Sequence, residues 1–184
     1  MIKKIGTFIC FFFTIVLFSQ KMITRSGEIK FEASMPAFEQ IAAKNNTVSC
    51  IFDTSTGEIA ALALVKAFRF KVPLMEEHFN ENYIESSKYP KATFKGVIEG
   101  FNMNIIDTSP KEFKLIGILK LHGKSKNICT IAILRKADYK LEIISDFDVN
   151  SFEHQQQQEE DKKLLVKFFV KPRPDEQATL QAGR

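Results

Sequence analysis

Apolar and polar side chains alternate along much of the chain after residue 20. Successive side chains of a β-strand point to opposite faces, so this period of two predicts strands that bury one face in a core. Other segments are rich in β-branched or aromatic residues and are bounded by Gly, Pro, Asn, Ser or Asp, which also predicts strands. The predicted strands lie at Ile29–Ala33, Val48–Asp53, Thr56–Phe70, Ala92–Glu99, Phe113–Leu121, Ile128–Leu134, Tyr139–Ile144 and Leu164–Val170.

These eight segments follow one another at short spacing, without the strand–helix–strand alternation of a parallel sheet. The order predicts an all-β fold, either an antiparallel sandwich or a closed eight-stranded barrel. Eight strands enclose an interior just wide enough for side chains or for one small or elongated ligand. The polar run His154–Asp161 precedes the last segment. The sequence therefore leaves open whether residues 164–170 close the barrel.

Two segments instead have the three- and four-residue spacing of a helix face. Pro36–Lys44 begins with proline and is rich in helix formers, and Leu74–Ile84 has the same kind of spacing. Pro90 biases Tyr89 toward an extended conformation, so the second helix must end before it and a strand begins at Lys91. We therefore predict one or two short helices, the second in a crossover between strands.

The beginning of the chain differs from the rest. Two lysines precede the apolar run Ile5–Phe18, and polar residues follow it. The run is about 14 residues long, shorter than the roughly 20 that cross a bilayer as a helix, so a cleaved secretory signal peptide is predicted and not a membrane anchor. The mature protein is expected in the periplasm or secreted. The predicted organisation is a signal peptide at 1–20, one barrel domain at 21–171 and a polar C-terminal tail at 172–184.

Composition and charge argue against a nucleic-acid-binding protein. The 184 residues, 45% of them hydrophobic, fit a single well-buried core. Cleavage of the signal peptide would remove two lysines and no acid, which lowers the formal net charge from +4 to +2. Because lysines alternate with acids along the chain, we expect an ordinary solvated surface and no nucleic-acid partner.

Cys50 and Cys129 would remain after cleavage. An exported compartment would permit a disulfide between them, and the alternative is that both are small buried apolar residues in separate strands. Neither cysteine has the spacing of a metal site, so no metal and no other cofactor is predicted.

His78 is a candidate for acid–base chemistry, because glutamates at 76, 77 and 81 surround it and a carboxylate can orient an imidazole as a general base. The chain has no Ser or Cys nucleophile in a motif such as G-x-S-x-G. A glutamate-rich helix with one histidine is usually a solvated face. We interpret His78 as structural and assign no catalytic residue.

Four motifs stand in order within roughly residues 27–149: TGEI from Thr56, LMEEHFNENYIES from Leu74, KYPKATFKG from Lys88 and LKLHGKSK from Leu119. Together they resemble the YceI-like family, particularly its exported members from Bacteroidetes-type bacteria. The resemblance implies a lipocalin-like antiparallel barrel whose elongated apolar cavity holds a polyisoprenoid or similar amphiphile, often as a homodimer. The chain departs from the family pattern at Lys124 and in the polar region after Val149.

We therefore expect an exported carrier of an isoprenoid-like lipid, which is not an enzyme and has no stable membrane anchor. Two alternatives remain: a barrel with a filled interior that works through partners, and a hydrolase or isomerase that uses His78 or His122. The lining is expected at the apolar members of the alternations, with one residue on the crossover helix, although the same residues would fill an ordinary core. The predicted lining is Phe31, Phe52, Leu62, Leu64, Phe79, Phe94, Ile98, Leu115, Leu119 and Ile131.

Overall fold

The computed structural model describes residues 21–33, 41–148 and 162–172. The predicted signal peptide, residues 36–40 of the first predicted helix and residues 173–184 of the predicted tail lie outside this part. Within it, helix α1 (Pro73–His78) continues as a π-helical turn (Phe79–Tyr83). The strands are β1 (Lys21–Ala33), β2 (Ile41–Asp53), β3 (Glu58–Leu64), β4 (Arg69–Phe70), β5 (Lys91–Ile98), β6 (Lys111–Leu121), β7 (Lys124–Ala137), β8 (Lys140–Asp148) and β9 (Lys162–Pro172).

Eight of these strands form a closed ring of antiparallel pairs. Their order is β1-β9-β8-β7-β6-β5-β3-β2, and β1 also pairs with β2. The short β4 pairs with Ala43 and Lys44 near the start of β2, on the side opposite to β1. β9 runs beside β8 from Val170 to Lys163 and beside β1 from Pro172 to Lys162. Residues 164–170 therefore close the ring, and the predicted antiparallel, lipocalin-like eight-stranded barrel is confirmed.

The two ends of the barrel are built differently. We call the end at which β5 begins and β6 ends the upper end, and the opposite end the lower end. The upper end carries the β6–β7 turn and the crossover segment, defined here as residues 65–90, which contains β4 and α1. The lower end carries the turn around Gly57, which joins β2 to β3, and the loop between β5 and β6.

The second predicted helix is confirmed. Pro73 lies in its first turn, where its missing N–H removes no helical hydrogen bond, and the helical residues end at Tyr83, before Pro90. Among the described residues, no helix is both long enough and apolar enough to cross a membrane.

The first predicted helix is wrong for the residues that can be compared. Ile41–Lys44 belong to β2 and pair with Ala33–Lys30 of β1, and Ala43 and Lys44 also pair with β4. The helix-like spacing of this segment is a local preference of a few tenths of a kcal/mol per residue. Ladders on both sides of the strand outweigh that preference, because they satisfy its backbone groups and bury Ala43.

The lower half of the barrel is a filled core. Phe52, Ile98, Leu134 and Ile143 are almost completely buried there. The ring of Phe52 meets that of Phe101 edge-on with centroids 4.8 Å apart, a favourable arrangement for aromatic side chains. The β5–β6 loop thus turns inward and seals this end, since Ile106 also joins the core cluster.

Candidate functional site

The upper half of the barrel interior is apolar but incompletely filled. Leu119 and Ile128 are buried on the inner face of β6 and β7, and half-buried rings surround them. The rings of Phe94 and Phe147 lie with centroids 6.3 Å apart and planes inclined by 25°. Phe31 packs against the same cluster from β1. These inward-facing aromatic side chains keep accessible surface, in contrast to the buried residues of the lower half. We call this partly accessible region of the interior the hollow.

A pair of glycines shapes this hollow. Gly96 of β5 and Gly117 of β6 are directly opposite each other in the ladder. A Cβ on Gly117 would lie 2.5 Å from Phe94 Cζ and 2.5 Å from the carbonyl oxygen of Lys95, and a Cβ on Gly96 would lie 2.9 Å from Phe94 Cζ. The Phe94 ring therefore lies across a strip of bare backbone, which any other residue at these positions would obstruct.

The crossover segment brings Phe79 over the upper end. Its ring centroid lies 5.0 Å from that of Phe70, 5.9 Å from that of Phe68 and 6.2 Å from that of Phe31. Since Phe31 is also part of the hollow's lining, Phe79 connects the helical region to the interior. The structure thus places the predicted Phe79 next to the predicted Phe31.

Three of the predicted lining residues lie on the outer face of the wall, and their inward assignment is corrected. Leu64 is 48% exposed and Ile131 is 46% exposed. Leu62 shares the outer face of β3 with Leu64, because Ile59, Ala61 and Ala63 are the residues of this strand that pack into the core. The prediction took the apolar members of each alternation as inward, but β3 is apolar on both faces after Glu58. Small alanines face inward instead, where the bulky rings on neighbouring strands occupy the space.

The other predicted residues are divided between the two halves of the interior. Phe52, Ile98 and Leu115 lie in the filled core cluster. Leu119 lies in the upper cluster, where Phe31 and Phe94 pack against it. The sequence interpretation missed Phe147, Leu121 and the glycine pair. For Phe147 a signal was present, since it continues the alternation Leu141, Ile143, Ser145 along β8.

The two cysteines lie on opposite faces of the barrel wall. Cys50 is buried next to the inward residues of β2, whereas Cys129 is exposed on β7, and both are free thiols. The predicted alternative of a disulfide between them is therefore wrong, and the alternative of two buried residues holds for Cys50 alone.

The two histidines of the described residues, His78 and His122, have different surroundings. His78 is exposed on α1, whereas the Nε2 of His122, in the β6–β7 turn, is 2.9 Å from Glu85 Oε2. Tyr89 packs edge-on against His122 with centroids 4.8 Å apart. This contact, which we call the Glu85–His122 latch, joins the crossover segment to the β6–β7 turn. Within the described residues, no group of three or more His, Cys, Asp or Glu side chains is arranged to bind a metal ion.

Comparisons with solved structures agree with this architecture. A polyisoprenoid binding domain from Saccharophagus degradans, implicated in plant cell wall breakdown, superposes with a TM-score of 0.68 at 11% identity, covering 83% of this chain and 99% of that chain. BcnA of Burkholderia cenocepacia gives a TM-score of 0.58 at 13% identity, covering 78% of this chain and 94% of that one. The YceI protein of Campylobacter jejuni gives 0.54 at 13% identity, with 74% and 88% covered. At these identities the likeness concerns the fold.

Sequence comparisons address the family. A search of curated proteins finds no match. The model of the YceI-like domain matches residues 21–170, which is most of the chain and spans the barrel from β1 to β9. The chain is therefore a member of the YceI-like family.

Proposed function

We propose that this protein is an exported carrier that holds one polyisoprenoid, or a similar long-chain amphiphile, in the upper half of its barrel. The observation that carries the proposal is the contrast between the two halves of the interior. The lower half is packed and sealed around Phe52, whereas the upper half presents half-buried rings around Leu119 and Ile128. An apolar chain could cover these rings and remove their remaining surface from water.

Two further points support a lipid as the ligand. The lining residues that keep accessible surface are Phe31, Phe94, Phe147 and Leu121, all apolar. One structurally similar protein is a polyisoprenoid binding domain. Export is part of the proposal because of the apolar run Ile5–Phe18. A carrier needs no catalytic group, and His78 and His122 have separate surroundings, since His78 is exposed on α1 and His122 contacts Glu85.

The experiment is a titration of the purified protein with a fluorescent isoprenoid. Phe94→Arg should abolish binding, because it places a cation among apolar side chains, where charge is strongly disfavoured and a hydrocarbon chain cannot satisfy it. His78→Ala should leave binding unchanged, because the His78 side chain is exposed on the helix.

A matched control separates loss of binding from loss of fold. Ile131→Arg introduces the same charge on the outer face of the wall, where the native side chain is 46% exposed, and it should bind the isoprenoid like the wild type. Urea unfolding of all the variants checks that each is folded. The proposal is wrong if folded wild type binds no isoprenoid, which would favour a structural barrel, or if His78→Ala loses binding while folded Phe94→Arg keeps it.

A further inference from the structure

The crossover segment presents an exposed apolar tip, which consists of Val72, Pro73 and Leu74. These three consecutive residues are all exposed, Val72 by 39% and Leu74 by 58%. They form the entry to α1, next to β4. Single exposed apolar side chains are ordinary. Three in succession on a protruding turn form a small patch that water solvates poorly.

Cations precede this tip along the chain, and Glu76 and Glu77 follow it. Residues 59–75 contain Lys66, Arg69 and Lys71 but no acidic residue. Lys30, Lys44 and Arg69 form a row across three strands, because Lys30 is directly opposite Lys44 in the β1–β2 ladder and Lys44 is directly opposite Arg69 in the β2–β4 ladder. Like charges in such positions repel each other. We call Lys30, Lys44, Arg69 and Lys71 the basic row.

The basic row lines an open concavity of about 250 Å³ at the upper end of the barrel. Three glutamates offset part of its charge. Glu28 lies 2.7 Å from Lys44 and 3.5 Å from Lys30, Glu76 lies 2.8 Å from Arg69, and Glu32 lies in the concavity itself. With the exposed Lys66 and the exposed Glu77 included, this surface has five cations and four glutamates, and Lys71 is exposed as well.

This surface borders the hollow. Phe31, Ala43 and Phe70 form the apolar floor of the concavity. The ring of Phe70 packs against that of Phe79 at a tilt of 48°, and Phe31 belongs to the lining of the hollow. A partner that contacts the apolar tip and the basic row would therefore lie at the upper end of the barrel, next to the hollow. We call this opening the mouth of the barrel.

We infer that this surface docks the protein on a membrane that contains anionic phospholipids. Clustered cations are attracted to the negative surface potential of such a membrane, and exposed apolar side chains enter the boundary between headgroups and acyl chains. The lysines and Arg69 would contact lipid phosphates while Val72 and Leu74 insert. Docking in this orientation turns the mouth toward the bilayer, so that an apolar ligand passes between bilayer and barrel without crossing water.

The inference goes beyond the proposed function and is tested separately, by co-sedimentation with vesicles. Wild type should bind vesicles of phosphatidylcholine with phosphatidylglycerol, bind phosphatidylcholine alone much less, and dissociate as salt screens the cations. The variant Lys71→Gln/Leu74→Ser should bind the anionic vesicles at least about tenfold more weakly, since one cation near the surface contributes about fivefold and the inserted leucine adds to it.

The matched control is Lys95→Gln/Ile118→Ser on the side wall. Lys95 and Ile118 are exposed and directly opposite each other in the β5–β6 ladder, so the control makes the same kinds of change at a distance from the tip. It should bind vesicles like the wild type. Both variants should retain the wild-type melting temperature within a few degrees and the wild-type affinity for a soluble fluorescent isoprenoid, which separates docking from ligand binding.

Two outcomes would overturn the inference. In the first, the wild type fails to sediment with anionic vesicles. The surface would then bind a soluble partner and not a membrane. The other outcome is an equal loss of vesicle binding in the tip variant and the side-wall control, which would attribute binding to overall charge and hydrophobicity.

Discussion

Cys50 lies on the inner face of β2 and is almost fully buried, whereas Cys129 lies on the outer face of β7. Desolvation raises the pKa of the Cys50 thiol from 9.0 to about 12, because a thiolate cannot be solvated inside the barrel. The two thiols therefore differ in chemistry although both are free. Of these two thiols in the described part of the chain, only that of Cys129 is accessible to a thiol reagent in the folded protein.

This difference predicts a dependence of stability on pH. The folded thiol of Cys50 stays protonated, while the thiol of the unfolded chain ionises above its ordinary pKa of 9.0. Its contribution to stability is therefore fully present below pH 9 and is lost as the pH rises toward about 12, at about 1.4 kcal/mol per pH unit. Urea unfolding with a reductant between about pH 8 and 10.5 measures the slope. Cys50→Ala should flatten the slope relative to Cys129→Ala, and equal slopes in the two variants would contradict the argument.

At the scale of elements, the Glu85–His122 latch holds two loops in an unusual conformation. Both residues have left-handed backbone angles, with φ of 48° at Glu85 and 50° at His122. Such angles are costly for residues other than glycine and persist where surrounding contacts impose them. Gly123 follows with φ of 71°, and a Cβ there would lie 2.6 Å from the Tyr89 ring. The latch, the ring contact and this glycine together fix the crossover segment over the upper end.

We predict that Glu85→Ala releases the crossover segment without unfolding the barrel. Amide hydrogen exchange should become faster in residues 79–91 and stay unchanged in β6 and β7, because the ladders of those strands do not depend on the latch. The matched control is Glu99→Ala, which removes a carboxylate 3.3 Å from Lys114 on the side of β6 and should leave residues 79–91 unchanged. If residues 79–91 exchange their amide hydrogens at the same rate in Glu85→Ala and Glu99→Ala, the contact between Glu85 and His122 does not hold the crossover segment.

The latch should also respond to acid. The hydrogen bond from His122 holds the pKa of Glu85 below its ordinary value of 4.5. A carboxylate with a lowered pKa stabilises the folded state above its ordinary pKa and loses that effect as the pH falls through the lowered value. The exchange of residues 79–91 in wild type should therefore approach that of Glu85→Ala below pH 4.5.

At the scale of the whole molecule, β9 closes the barrel, and without it the sheet would have two open edges, at β1 and at β8. It pairs with β1 on one side and β8 on the other, although 13 residues separate it from β8 along the chain. The backbone N–H and C=O groups of β1 and β8 that now bond to β9 would then lack hydrogen-bond partners beside the apolar interior. Unpaired edges of this kind promote aggregation.

Truncation after Asp148 should therefore leave a protein that aggregates or lacks a cooperative unfolding transition. Truncation after Pro172 retains all the ladders described here and should unfold at the urea concentration of the full-length protein. Size-exclusion chromatography and urea unfolding distinguish the two proteins. A monomeric 1–148 fragment with a full-length unfolding midpoint would show that closure by β9 is dispensable.

The sequence by itself determined the fold class, because alternation along a strand is a local property that burial of one face imposes. It also located the crossover helix, where a helical spacing that begins at Leu74 ends before Pro90. The family resemblance was read from the sequence as well, and the YceI-like domain match confirms it. Phe31, Phe94 and Leu119 were predicted to face inward and do so.

Only the tertiary structure decided which face of each strand is the inner one. A period of two distinguishes two faces of a strand but does not show which of them points inward. Leu62, Leu64 and Ile131 were assigned inward because they are apolar, although their strands are apolar on both faces. The choice depends on ladder register and on the side chains across the barrel, which come from distant parts of the chain. The same reason explains why Ile41–Lys44 form a strand. It also explains why Phe101 and Ile106 from a loop pack into the lower half of the interior, while the rings of the upper half keep accessible surface.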